Sequence, residues 1–213
     1  MKSNRILILS PHTDDAELGC GGTIVKFLEQ KKIIKWVVFS VAEDSLPNES
    51  DKLKLKKEFL NVCKALNLPE ENYSIYHFPV RNLDKYRQDI LEILVKIKKE
   101  FNPDLVIGPS QNDYHQDHKV VSNEMIRAFK MNSSILCYEL PWNHLQFTAT
   151  YFEKLEEYHV KKKLEIIKNY ETQIKLNRFY FAEDVIKGIL ITRGAQINTK
   201  YAESFDVIRI IGE

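Results

Sequence analysis

Apolar residues along this chain come in two spacings. In residues 5–10 (RILILS), 35–41 (KWVVFSV), 104–108 (DLVIG) and 135–140 they run nearly consecutively, the pattern of short strands buried on both faces. Residues 73–78 make a weaker strand. Elsewhere they recur every three or four positions, as amphipathic helices require. Residues 51–66 place Leu55, Phe59, Val62, Cys63 and Leu66 on one face, and residues 86–101 do the same with Ile90, Leu91, Leu94, Ile97 and Phe101. Helices are also expected over 23–30 and 118–129. Strand and helix therefore alternate, which predicts an α/β protein: a three-layer, Rossmann-like fold with a mainly parallel sheet and helices on both faces. The last third reads differently, with a strand over 148–155, one long charged helix over 157–175, a helix over 181–192 and a late strand over 205–211.

No repeat or linker interrupts this pattern, so the 213 residues are read as one domain, 1–213. A hydrophobic share of 44% supports a packed core and excludes disordered and low-complexity classes. The apolar runs fall far short of the roughly 18–20 residues that span a bilayer, so no integral membrane segment is expected. Residues 1–5 carry the charge of a secretory n-region, but only four apolar residues follow, where a leader needs about 7–15. Cys20, Cys63 and Cys137 are odd in number and widely spaced, which fits reduced thiols and a cytoplasmic location. A formal net charge of +1 gives no general field for nucleic acid, and the lysine clusters at 52–57 and 161–163 alternate with acids as solvated helix faces do. Glycine is scarce, seven in all, yet three fall within Gly19-Cys20-Gly21-Gly22.

In a doubly wound sheet of order 3-2-1-4-5, ligands bind beyond the carboxyl ends of the strands, where the order reverses between strands 1 and 4. Two polar loops fall at that point. One is Pro11-His12-Thr13-Asp14-Asp15; the other runs from Pro109 to His118 and contains Asp113, Tyr114, His115, Gln116 and Asp117. Together they hold three of the six histidines. Histidine nitrogen and carboxylate oxygen are zinc ligands, and a catalytic zinc takes three protein ligands and keeps one position open. Two histidines and one aspartate meet that need. His115 and His118 are three apart at the opening of a helix, so both lie on one side: one can bind metal while the other faces substrate. Taken singly, the aspartates also suit helix N-caps. The glycine cluster lacks the G-x-G-x-x-G spacing, and the next strand runs into Ser40 and Val41 with no acidic ribose hook, so it is a poor dinucleotide fingerprint.

At these residues the chain resembles the LmbE-like (PIG-L) family of zinc-dependent N-deacetylases. Pro11-His12-Thr13-Asp14-Asp15-Ala16-Glu17-Leu18-Gly19-Cys20-Gly21-Gly22-Thr23 is similar to the family's P-H-P-D-D-x-x-x-G-x-G-G signature, and His115-Gln116-Asp117-His118 to its H-x-D-H motif. Tyr201-Ala202-Glu203-Ser204-Phe205 resembles a late family segment. Thr13 stands where the family usually has proline. The resemblance implies that His12, Asp15 and His118 bind one zinc ion per chain. It implies that Asp14 is the general base toward a zinc-bound water. His115 would be a charged stabiliser of the oxyanion or the acid for the leaving amine, with Asp117 orienting it and raising its pKa.

The reaction so implied removes acetyl from an N-acetylated amino sugar of the N-acetylglucosamine type, free or carried on a nucleotide, lipid or other scaffold. The partner is then a small-molecule N-acetyl sugar or conjugate, without nucleic acid; a homo-oligomer stays open. The loop at 41–47 follows strand 2 on the same rim and brings Glu43 toward sugar hydroxyls. Arg81, Tyr114, Trp142, His144 and Arg193 are further candidates for substrate contacts. Three other readings compete. One is a zinc amidase acting on a non-sugar amide or thiol conjugate. Another is a nucleotide-binding module with incidental histidines, which the glycine spacing disfavours. The last is a nucleic-acid binder, which the near-neutral charge disfavours.

Overall fold

The computed structural model describes residues 3–46 and 51–212; Met1 and Lys2 of the leader-like start, and Pro47 of the loop expected near substrate, lie outside them. Strand β1 (Arg5–Ser10) lies inside the sheet, parallel to β2 (Ile33–Val38) on one side and β4 (Leu105–Pro109) on the other. β3 (Tyr73–Ile75) extends the β2 edge and β5 (Ser134–Tyr138) the β4 edge, both in parallel. Beyond β5 the chain adds β7 (Tyr201–Arg209) and then β6 (Tyr151–Leu155), both antiparallel. The order β3-β2-β1-β4-β5-β7-β6 contains the expected reversal between β1 and β4.

Alternation along the buried strands builds two cores. Ile6, Ile8, Trp36, Val38 and Tyr138 share one cluster with side chains of α1 (Asp15–Glu29), α2 (Lys54–Ala65) and α5 (Glu157–Ile167). Leu7, Leu9, Val37, Val106 and Cys137 face the other way, onto α3 (Arg87–Phe101) and α4 (Gln116–Phe129). The sheet is therefore the middle of three layers, and α7 (Glu183–Ala195) packs along β7.

Two elements differ from expectation. Helix α1 begins at Asp15 rather than at residue 23, so it runs through the glycine cluster. Glycine disfavours helix in isolation, and here packing overrides that cost. A Cβ on Gly19 would lie 2.5 Å from the Tyr138 ring, and one on Gly22 would lie 2.5 Å from Leu155. The helix is also broken at Cys20, whose φ of −144° and ψ of 25° are not helical. The break frees backbone groups on both sides, and a buried ion pair takes them up. Lys163 Nζ donates to the Leu18 carbonyl at 2.7 Å and to Glu203 at 2.7 Å. Glu203 accepts from the Gly22 and Thr23 amides at 2.9 and 2.6 Å. The glycine cluster and the late YAESF segment thus belong to one device.

The second difference lies in the long helix expected over 157–175. It divides into α5 and α6 (Glu171–Lys175), with the fully buried Tyr170 between them. The interruption turns the Tyr170 hydroxyl onto the Thr13 carbonyl and the Glu17 carboxyl, so the C-terminal part of the chain grips the loop after β1.

Candidate active site

Each polar loop leaves the carboxyl end of its strand and is held by its own backbone. The His12 amide donates to Asp15 Oδ2 at 2.7 Å, folding the first loop into a turn that brings both side chains inward. The His115 amide donates to Asp113 Oδ1 at 2.8 Å, and His115 then opens α4 as its N-cap, leaving His118 on the first turn.

Three donor atoms from these loops converge. His12 Nδ1 lies 3.2 Å from Asp15 Oδ2, His118 Nε2 lies 3.2 Å from the same oxygen, and the two nitrogens are 3.3 Å apart. A tetrahedral ion with bonds of about 2.0–2.1 Å spaces its ligands about 3.3–3.4 Å apart, so the triangle suits three-ligand coordination with one position open. His115 joins a wider group, in which one nitrogen from each of His12, His115 and His118 lies within 4.8 Å of the others.

The far nitrogen of each histidine in the triangle is fixed by a buried carboxylate. His12 Nε2 donates to Asp117 Oδ2 at 2.9 Å, and His118 Nδ1 donates to Asp113 Oδ2 at 2.7 Å. With those protons committed, His12 Nδ1 and His118 Nε2 are the nitrogens turned toward Asp15, the outer-partner arrangement of metal-ligating histidines. Asp117 also accepts from the Arg81 and Leu83 amides at 2.6 and 3.2 Å. Arg81 delivers its amide from a left-handed backbone, φ 67°, a conformation rare for a bulky residue.

This geometry corrects one expectation. Asp117 orients His12, not His115. His115 Nδ1 instead accepts the Asp117 amide at 3.2 Å. Burial, together with the neighbouring His12 and His118, pushes the His115 imidazole down to about 4, so it is neutral at pH 7 rather than charged. Its one ring proton then sits on Nε2. Asp113, a carboxylate five residues before a candidate ligand, is a functional residue that the sequence pattern alone does not single out.

The other titrations follow from crowding. Burial alone would lower His12, but Asp15 and Asp117 outweigh it and raise the imidazole to about 9. His118 reaches about 10 against the same burial, through Asp15 and Asp113. Asp15, opposed by burial, is held far below the usual carboxylate range by the two histidines. Asp14 goes the other way: burial and then the Asp15 charge raise it to about 6, against His12 and Arg178.

These groups line a cavity of about 300 Å³, within the range of small-ligand pockets. Arg81 and Trp142 are on its wall as expected. Gln173, Arg178 and Tyr180, which the sequence did not single out, come from the segment around α6. Four expected substrate contacts lie elsewhere. Glu43 pairs with His77 at 2.6 Å, while its loop neighbours Ala42 and Ser45 reach the cavity. Tyr114 is 62% exposed, with Lys119 against its ring. His144 is turned to the Leu140 carbonyl at 2.7 Å. Arg193 is locked in a two-pronged pair with Glu139.

Comparison with known proteins gives the family and the fold. The sequence model of the family described as PIG-L: GlcNAc-PI de-N-acetylase matches residues 7–129, which include both loops. An uncharacterized deacetylase of Escherichia coli K12, YaiS, is 24% identical over 173 residues, covering 80% of this chain and 92% of that protein. The N,N'-diacetylchitobiose deacetylase of Pyrococcus horikoshii superposes with a TM-score of 0.81 at 18% identity, covering 97% of this chain and 84% of its own. The zinc-inhibited form of teicoplanin deacetylase Orf2 gives 0.77 at 16% identity, covering 98% and 100%. A hydratase, GalB of Pseudomonas putida KT2440, acts on 4-carboxy-2-hydroxymuconate and gives 0.73 at 19% identity over 98% of both chains. The same fold carries different reactions, so the reaction has to be argued from the site.

Proposed function

The chain belongs to the PIG-L family, and from that premise we propose that it is a metal-dependent N-deacetylase that frees acetate from an N-acetylated amino sugar. The observation that carries this reading is the triangle of His12 Nδ1, Asp15 Oδ2 and His118 Nε2, with an aspartate fixing each histidine. These three residues would hold one zinc ion. When bound, such an ion supplies a Lewis acid for the amide carbonyl and an activated water.

The protein's own groups do the rest. Asp14 takes a proton from the attacking water and returns it to the leaving nitrogen, so water and amide become acetate and amine. Its value of about 6 suits a base working near neutral pH. Neutral His115 donates from Nε2 to the carbonyl oxygen as negative charge develops there. Stacked Trp142 and Tyr180, with ring centroids 4.4 Å apart, give the sugar an apolar wall. A cavity of about 300 Å³ suits one sugar unit with its acetamide.

Asp14→Asn is expected to keep metal and lose about 10²–10⁴-fold in turnover, since only proton transfer is removed. In the metal-loaded wild type, kcat/KM should fall on the acid side as Asp14 protonates, with a midpoint at or below about 6 because a cation on Asp15 offsets the charge that raises Asp14. Full activity in the variant, or a rate flat down to pH of about 4, removes Asp14 from the mechanism. Acetate released from N-acetyl sugars but not from simple amides separates this reading from a general zinc amidase.

Metal uptake should itself release protons. His12 at about 9 and His118 at about 10 are both charged at pH 7 without metal, and both must be neutral to bind it. Calorimetry in two buffers of different ionisation heat should give about two protons per ion at pH 7, with affinity rising with pH up to about 10. Release near zero contradicts the ligand pair. Stability of the metal-free protein has the matching sign. The contribution of these raised histidines is fully present below their unfolded value, about 6.5, and is lost as pH rises through about 9 to 10.

A further inference from the structure

The wall of the cavity contains two arginines for which the deacetylation chemistry has no substrate contact; Arg178 acts there only through its charge, which opposes the rise of Asp14. Of the seven arginines, Arg87 and Arg127 pair with Glu124, Arg193 pairs with Glu139, and Arg5 holds the Phe101 carbonyl. Arg81 and Arg178 line the cavity, and among the described residues neither forms an ion pair with a carboxylate. Arg81 is exposed at the cavity rim and Arg178 is half-buried in its wall, so both guanidinium groups are open to a ligand entering the cavity.

Arg178 is also held in place. Asn177 has a left-handed φ of 52° just after α6, which redirects the chain. Arg178 and Tyr180 then both reach the cavity, while Phe179 between them is 80% exposed. Arg178 Nη1 donates to the Tyr180 hydroxyl at 2.6 Å, and the Tyr180 ring is stacked on Trp142 at an interplanar angle of 13°. One of the five guanidinium donors is committed to that anchor and four remain. The side chain is thus fixed in advance of a ligand, which limits the ordering cost on binding. Arg81 stands on the same cavity with its backbone fixed by Asp117; its Nη2 approaches only the Asp44 carbonyl, at 3.4 Å.

We propose that Arg178, assisted by Arg81, forms a subsite for an oxyanion on the substrate, a phosphate or a carboxylate, so that the sugar is an anionic one. Guanidinium is the side chain suited to such groups, because its planar fork matches two oxygens at once. This rests on the cavity being the substrate site of a deacetylase. Arg178, Tyr180 and Trp142 all lie beyond residue 129, outside the stretch that the family model matches.

The test is calorimetric binding to metal-loaded Asp14→Asn protein, in which turnover is suppressed. The probes are N-acetylglucosamine, N-acetylglucosamine 1-phosphate and N-acetylmuramic acid, which are neutral, phosphorylated and carboxylated respectively. At least one anionic sugar should bind at least about tenfold more tightly than the neutral one. The better of the two identifies the oxyanion. Adding Arg178→Gln should remove that preference, and Arg81→Gln should reduce it. Arg209→Gln, at the exposed end of β7, should leave every affinity as it was. Equal binding of all three sugars, or equal weakening of all three by Arg178→Gln, overturns the subsite. Acetate release by the wild type is scored separately. Release without anion preference removes the subsite and leaves deacetylation, whereas anion preference without release keeps the subsite and removes deacetylation.

Discussion

His118→Ala is expected to lose both metal and acetate release. His118 supplies one corner of the donor triangle from a fully buried position, so no neighbouring side chain or bulk water replaces it in the same geometry. Losing an outer-sphere partner of a metal ligand costs about 10–100-fold in affinity, and losing the ligand itself should cost more. Asp113→Asn provides the scale. It keeps the ligand but weakens the group that orients it at 2.7 Å, so it should fall within that 10–100-fold range. Metal affinity is read by chelator competition, with thermal melting to establish that each variant is folded. His118→Ala also leaves Asp113 and Asp15 buried with fewer cationic partners, so His118→Gln, which retains bulk and a donor, guards against a fold defect. Tight stoichiometric metal in either His118 variant would break the ligand assignment.

Lys163→Met is expected to cost about 3–5 kcal/mol of stability, far from the chemistry. Removing one partner of a buried ion pair leaves the other charged without compensation. Lys163 and Glu203 are each 2% exposed, and Glu203 would keep only the Gly22 and Thr23 amides. For a chain of this size, that cost lowers Tm by about 6–20 °C. The double variant Lys163→Met/Glu203→Gln should recover part of the loss, because no unpaired charge is then buried. A Tm within about 2 °C of wild type for Lys163→Met would show that the pair does not splint the broken helix. The consequence reaches function because α1 carries Asp15 on its first turn, ahead of the break at Cys20.

These two sites differ in how far the sequence revealed them. The meeting of the two polar loops, about 100 residues apart, was legible because short apolar strands alternating with helices point to a doubly wound sheet whose order reverses between β1 and β4. The choice of His12, Asp15 and His118, by contrast, comes from the family resemblance. The helix break was not legible. Glycines at 19, 21 and 22 precede the helix that the pattern predicts from residue 23, and the Tyr138 ring and Leu155 across the layer show why a helix running through them needs them. The single helix expected over 157–175 failed for a similar reason. It reads as one long charged helix, but Tyr170 is diverted to grip Thr13 and Glu17.

Within the site, the error over Asp117 came from adjacency in sequence. Asp117 is near His115 along the chain, yet its carboxylate crosses to His12, 105 residues away. The cavity wall was the least legible part. Nearness to a strand end suggested Glu43, Tyr114 and His144, while Arg178 and Tyr180 arrive through packing of the segment around α6, which no local pattern encodes.

The central claim is that one metal ion in the His12, Asp15 and His118 triangle turns this chain into an N-deacetylase. Its most direct test is to titrate metal-stripped protein with zinc while following acetate release from N-acetylglucosamine, its 1-phosphate and N-acetylmuramic acid. The expected result is no release without metal, then a linear rise that stops at one ion per chain. Release that persists in the stripped protein and ignores chelators would contradict the claim, as would one tightly bound ion with no acetate from any of the three sugars.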